Sequence, residues 1–147
     1  MSDDKSVAKE LVETLKDGEH GFATAADKLR DSDRTEWATT MQKYSEQRAD
    51  FAREIIAMGH EYNDDVNEGG TVAAALHRGW ISLKDALTGD DAGSVLGAAV
   101  TGENHAVSEY EKALEADLSA GFREVVTKQH AAVVAARDEV KALQEAD

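Results

Sequence analysis

The lengths of the connections between the predicted helices constrain this chain's fold more than any other feature of its sequence. Periodicity and capping residues predict five helical segments, at about 4–29, 33–59, 72–87, 92–118 and 120–145. Only a few residues separate the first two segments and the last two, so each pair is expected to form an antiparallel hairpin. The stretch at about 60–90 is long enough to cross the length of a bundle. Two hairpins and one helical crossover predict a ferritin-like four-helix bundle.

The composition favours a single all-α domain over residues 1–147. Proline is absent, 31% of the 147 residues are charged and only 5% are aromatic, as is typical of helical chains. A chain of this length makes one domain that can bury a sizeable core without a disulfide or structural metal. Cysteine is also absent, which excludes disulfides and thiolate zinc sites and suits a reducing compartment.

The charge of the chain limits its expected partners and location. The formal net charge is −14, which repels nucleic acid and anionic lipid and attracts cations. Lys and Arg are scattered and form no basic stripe. The N-terminal residues resemble no secretion signal, and no apolar run reaches the length of a spanning helix. We therefore expect a cytoplasmic protein with neither a nucleic-acid nor a membrane partner.

Four predicted helices each carry one polar residue among apolar side chains. At about 100° per residue, Glu103 and Gln129 lie at the centres of apolar arcs, while Glu19 and Gln47 lie nearer the edges of theirs. A glutamate at such a position is unusual, because glutamate is almost never fully buried unless it is paired. The four residues are therefore predicted to form a polar layer in the core.

Such a layer has three physical solutions, because an unpaired buried carboxylate is strongly destabilising. The glutamates can hydrogen-bond to Gln47 and Gln129 with one carboxyl protonated, they can bind a hard cation, or ordered water can satisfy them. A hydrogen-bonded network would make the replacement of Glu103 by Gln nearly neutral for stability.

The two predicted hairpins also resemble each other. Gly18-Glu19 corresponds to Gly102-Glu103, and Gln47-Arg48-Ala49 corresponds to Gln129-His130-Ala131. The matching positions indicate a structural pseudo-repeat of the two helix pairs.

Several segments resemble a known family. They are Gly18-Glu19-His20-Gly21-Phe22, Ser45-Glu46-Gln47-Arg48-Ala49-Asp50-Phe51, His77-Arg78-Gly79-Trp80, Gly102-Glu103 and Tyr110-Glu111-Lys112-Ala113-Leu114. Together they are similar to a family of small bacterial ferritin-like four-helix-bundle proteins long classified as a domain of unknown function. The wider superfamily implies a di-iron or di-manganese site built from two lone glutamates and two Glu-x-x-His motifs. It also implies pairing into homodimers.

The sequence departs from that superfamily pattern at two of the four ligand positions. Glu19 and Glu103 fit the lone glutamates, but Gln47 and Gln129 replace the other carboxylates and no histidine follows three residues later. The candidate metal ligands for iron or manganese are these four residues and His130, which is adjacent to Gln129. The absent histidines argue against ordinary ferroxidase chemistry, since imidazole holds transition metals far better than an amide oxygen.

Two functional hypotheses follow, and neither assigns catalytic or organic-cofactor residues. The first is a non-enzymatic stress-associated or interaction protein without a cofactor. The alternative is a metal-binding oxidoreductase or metal-storage protein that uses Glu19 and Glu103. In the predicted crossover, His77 is expected to have a packing or capping role, and Trp80 is expected to cover a seam of the bundle.

Overall fold

The computed structural model describes residues 3–61, Trp80 and residues 92–146. The described residues form four α-helices and no strand. The helices are α1 (Asp4–Asp31), α2 (Thr35–Glu61), α3 (Ala92–Leu114) and α4 (Ala120–Ala146). The all-α four-helix bundle is thus confirmed. The predicted helix at 72–87 lies outside the described residues, apart from Trp80, and so does His77.

The contacts between the helices establish their relative directions. The backbone N–H of Asp3, before α1, donates to the carbonyl of Asp117, after α3, at 2.6 Å, so α1 and α3 are antiparallel. Tyr44 and Gln129 make hydrogen bonds between α2 and α4, to Glu139 and Phe51 respectively, and these pairings show that α2 and α4 are also antiparallel. The end of α2 and the start of α3 therefore lie at opposite ends of the bundle, as the long connection predicts.

Two short turns close the hairpins. In the turn between α1 and α2, Asp33 adopts a left-handed conformation with φ 62°. The N–H of Arg34 donates to the carbonyl of Leu29 at 2.9 Å, and the N–H of Asp33 donates to that of Arg30 at 3.2 Å. This pair of bonds is a Schellman motif, which satisfies the last carbonyls of a helix and usually has glycine at the left-handed position.

The turn between α3 and α4 is held by charged side chains. The guanidinium of Arg123 donates to the carbonyls of Leu114 and Ala116 at 2.8 and 2.7 Å, which caps the end of α3. The buried carboxylate of Asp4 accepts bonds from the backbone N–H and the hydroxyl of Ser119, at 2.9 and 2.6 Å. The first turn of α1 is thereby attached to the start of α4, which fixes this end of the bundle.

Trp80 is a buried wedge between the two hairpins. Only 2% of it is exposed, and its ring meets that of Phe22 edge-on at a centroid distance of 4.9 Å. A Cβ atom on Gly21 of α1 or on Gly102 of α3 would lie closer than 3.0 Å to the indole ring. Glycine is required at these two positions because the ring occupies the space that any side chain would need.

We predict that Gly102→Ala destabilises the protein by about 1–3 kcal/mol, because overpacking forces the rigid indole to move. Gly121→Ala is the matched control: Gly121 lies in the first turn of α4, and a Cβ atom there would have no atom within 4 Å. This control should gain up to about 1 kcal/mol from helix propensity. Urea unfolding measures both changes. Equal changes in the free energy of unfolding would contradict the close packing of Trp80 against Gly102.

Candidate functional site

A charged pair, Arg48 of α2 and Glu103 of α3, lies in the centre of the bundle. The two guanidinium nitrogens Nη1 and Nη2 donate to Oε1 and Oε2 of Glu103 at 2.5 and 2.7 Å. The side chains are 1% and 0% exposed. This is the bidentate geometry in which a planar guanidinium best matches a carboxylate.

The pair crosses the bundle diagonally. The helix α1 packs against α2 and α3, and α4 packs against the same two helices, so α2 and α3 lie across the centre from each other. Arg48 can reach across because Gly18 of α1 has no side chain: a Cβ there would lie 3.3 Å from Cγ of Arg48. The guanidinium carbon also lies 5.2 Å from the centre of the Phe22 ring. The length of the Arg48 side chain and the absence of a side chain at Gly18 together allow the guanidinium to reach Glu103.

The ion pair separates the apolar core into two parts. One hydrophobic cluster contains Phe22, Met41 and Tyr44, and the other contains Ala52 and Ile55. On α2, Arg48 lies between the residues of the two clusters, where the helical stripe would otherwise continue with an apolar side chain. The bundle therefore has a charged middle layer between two apolar layers.

The electrostatic environment keeps Arg48 charged. Burial by itself lowers the pKa of Arg48, but the charge of Glu103 and its hydrogen bonds more than reverse this effect, so the pKa is raised above its ordinary value. The attraction offsets the loss of hydration only while both partners are present. Removing one partner of a buried pair leaves an uncompensated charge in the core.

A second polar chain lies beside the ion pair and joins three helices. The hydroxyl of Tyr110 on α3 donates to Oε1 of Gln129 on α4 at 2.6 Å. The amide nitrogen of Gln129 donates to Oε1 of Glu54 on α2 at 2.8 Å. Burial is the main cause that raises the pKa of the Tyr110 hydroxyl, so the tyrosine remains a neutral donor. Both ends of the Gln129 amide are satisfied by these bonds.

The structure alters the predicted polar layer. Glu103 and Gln129 are buried as predicted, but Glu19 and Gln47 are partly exposed. Arg48, one residue after Gln47, occupies the core position instead. The structure has a different partner from the first of the three solutions: both Glu103 oxygens bind Arg48 rather than the glutamines, and the Gln129 oxygen binds Tyr110. Gln47 and Arg48 are adjacent, and one residue along a helix corresponds to a rotation of about 100°. Assigning Gln47 instead of Arg48 to the core therefore placed the wrong side chain in the layer.

His130 lies beside Gln129 on α4 and has one buried ring nitrogen without a partner. Its Nε2 atom is buried without a hydrogen-bond partner and lies 3.9 Å from Oε2 of Glu111 on α3. Across residues 3–61 and 92–146, no three His, Asp or Glu side chains are grouped as metal ligands. Metal binding by Glu19, Gln47, Glu103, Gln129 and His130 stays a prediction.

Sequence reasoning missed Arg48, Tyr110 and Glu54 as members of the site. A signal for Arg48 was present, since Met41, Ser45, Arg48, Ala52 and Ile55 follow alternating steps of four and three residues, which defines the inner face of a packed helix. The pairing of Tyr110 with Gln129 and Glu54 depends on how three helices pack, and no local pattern indicates it.

The fold and site define a helical bundle whose core is joined by a buried ion pair and a tyrosine–glutamine–glutamate chain. The protein belongs to the family described as a domain of unknown function (DUF2383), which its sequence matches over residues 6–116. The matched part contains Arg48, Glu103 and Trp80 but ends before α4, which carries Gln129. No curated protein matches the sequence. No helix among the described residues is long and apolar enough to cross a bilayer.

We predict that Arg48→Met and Glu103→Gln each lower the free energy of unfolding by about 3–5 kcal/mol, because each leaves one buried charge unpaired. This reverses the near-neutral effect expected for Glu103→Gln from a hydrogen-bonded Glu/Gln layer. The double variant Arg48→Met/Glu103→Leu should recover most of the loss, since it removes both charges. Urea unfolding of the three variants tests the pair. A double variant no better than the worse single variant would contradict it.

We also predict a weaker alkaline destabilisation in Tyr110→Phe. The folded protein keeps the Tyr110 proton above the ordinary tyrosine pKa of about 10, whereas the unfolded chain loses it. The stability from this group is therefore complete below about pH 10 and falls as the pH rises further, by up to about 1.4 kcal/mol per pH unit. At neutral pH the variant should lose about 1 kcal/mol with its hydrogen bond.

The measurement is urea unfolding of the wild type and Tyr110→Phe between pH 8 and about 11. The two proteins differ only at residue 110, so the difference between their curves of unfolding free energy against pH isolates Tyr110. Parallel curves across this range would show that Tyr110 titrates alike in the folded and unfolded states.

Proposed function

We propose that this protein is a non-enzymatic interaction module, a bundle that neutralises its core charge internally and acts through its surface. The observation that supports the proposal is the bidentate pairing of Glu103 with Arg48. The carboxylate that a di-metal centre would need is fully occupied by a side chain of the same protein. The helix directions support the inference that the bundle shares the ferritin-like arrangement.

The residues present do not fit an iron or manganese centre at Glu103. A guanidinium already lies against both carboxylate oxygens, and its positive charge repels a divalent cation. Glu19, the second glutamate of the expected ligand set, is partly exposed. These contacts favour the interaction protein over the alternative, a metal-binding oxidoreductase or metal-storage protein using Glu19 and Glu103.

The buried pair has a structural role that suits an interaction module. A bidentate ion pair is satisfied in one relative position of its two helices, whereas an apolar core tolerates small displacements. Arg48 and Glu103 would thus hold the two hairpins in one alignment. A bundle with a fixed alignment presents a constant surface, which lowers the ordering cost of binding a partner.

We predict that metal-free protein gains no thermal stability from Fe(II) or Mn(II) beyond that produced by Mg(II) at the same concentration. The Mg(II) comparison accounts for weak binding of any divalent cation to an acidic surface. At a metal concentration one hundred times the dissociation constant, binding to a specific site would raise the melting temperature by about 5–10 °C. Such a rise with iron or manganese, abolished by Glu103→Gln, would overturn the proposed function.

A further inference from the structure

A groove of about 530 Å³ lies between α2 and α4, and neither Arg48 nor Glu103 lines it. Its lining residues are Phe51, Glu54, Gly121, Glu124, Val125, Lys128 and Gln129. Of the four adjacent helix pairs, α2 and α4 approach each other least closely. The groove is the space that this looser packing leaves.

The floor of the groove is formed by a hydrogen-bonded side chain, and one of its walls is open. Gln129 is only 1% exposed, and its amide is hydrogen-bonded to Tyr110 and Glu54. On the α4 wall, the Cβ position of Gly121 has no atom within 4 Å. A pre-formed floor beside open space is a typical binding-site arrangement.

Phe51 provides an apolar contact at the groove. Its side chain is partly exposed, and it also borders a second cavity, of about 570 Å³, that follows α2 toward Thr39. The exposed part of this ring gives the groove an apolar surface against which a partner's apolar side chain could pack.

The shape of the groove fits a helix. Two antiparallel helices form its long walls, and the α4 wall runs from Gly121 to Gln129, which is about 12 Å or two helical turns. An amphipathic helix places its apolar side chains at i, i+3, i+4 and i+7, over the same length.

The charges indicate the chemistry of that helix. Apolar surface from Phe51 and Val125 lies beside the carboxylates of Glu54 and Glu124, with Lys128 as the one cation of the lining. The whole chain carries a net charge of −14, so its field attracts a cationic partner and repels an anionic one. This inference rests on the proposed interaction function. We propose that the α2–α4 groove binds an amphipathic helix of a partner protein, with apolar anchors flanked by basic residues.

The test uses a fluorescent helical peptide of about 18 residues with Leu at the anchor positions and Lys on the flanks. Its affinity is measured by anisotropy against the wild type, Gly121→Trp and Ala142→Trp. A Cβ at position 121 would meet no atom within 4 Å, so Gly121→Trp is expected to place its indole ring on the open side of the groove. Ala142 is exposed near the far end of α4, so Trp there controls for an added surface aromatic. Binding should weaken about tenfold or more in Gly121→Trp and remain unchanged in Ala142→Trp.

A second variant and a second peptide separate the groove from general attraction to an acidic surface. Phe51→Ala should also weaken binding about fivefold to tenfold, since it removes the anchor contact. A peptide with Glu in place of Lys should bind at least tenfold more weakly than the Lys peptide. Equal affinity of the Lys peptide for the wild type and Gly121→Trp would overturn the proposal, because binding would then be diffuse charge attraction.

Sedimentation of the protein alone tests a second copy as the occupant. If the wild type is a dimer and Gly121→Trp is a monomer, a second copy of this protein occupies the groove. That result would overturn the proposal that the groove binds a helix of a partner protein. The proposed function fails by a different measurement, a Glu103-dependent rise in melting temperature with iron or manganese. The two failures are therefore distinguishable: absence of peptide binding without a metal effect overturns the groove alone.

Discussion

The buried ion pair of Arg48 and Glu103 is the interaction on which the rest of the bundle depends. Neither charge is tolerated in the core without the other, so the residues around them serve the contact. Gly18 leaves room for the arginine stem, Phe22 covers the guanidinium, and apolar clusters close both sides. The pair joins α2 of the first hairpin to α3 of the second, so it links the two hairpins across the centre of the bundle.

The fold was predictable because it depends on connection lengths and periodicity, which are local properties of the sequence. Two short turns and one long connection restrict four helices to very few arrangements, and the observed helix directions agree with the expected one. The end of α3 was less predictable: the helix ends at Leu114 rather than at Leu118. Arg123 caps the earlier carbonyls, and Leu118 still reaches the core from the turn, so its apolar character gave no indication of the boundary.

The site was only partly predictable. Glu103 and Gln129 could be found because large apolar residues flank each of them on its helix. Arg48 was missed because the inner face of α2 is marked by small residues such as Ala38, Ser45 and Ala52, which contribute little to a search for large apolar side chains. The partners of the buried groups could not be found at all. Which residues meet across a bundle depends on the relative rotation and axial shift of two helices, whereas the apolar stripe of one helix shows only which of its sides faces the core.

The position of Trp80 has a consequence for how the chain folds. Each hairpin can form from residues close in sequence, which favours early and rapid formation. The slot for the indole ring is different, because one of its walls is Gly21 of the first hairpin and the other is Gly102 of the second. No slot exists until the hairpins have met. Trp80 can therefore take up its buried position only when the two hairpins are already in contact.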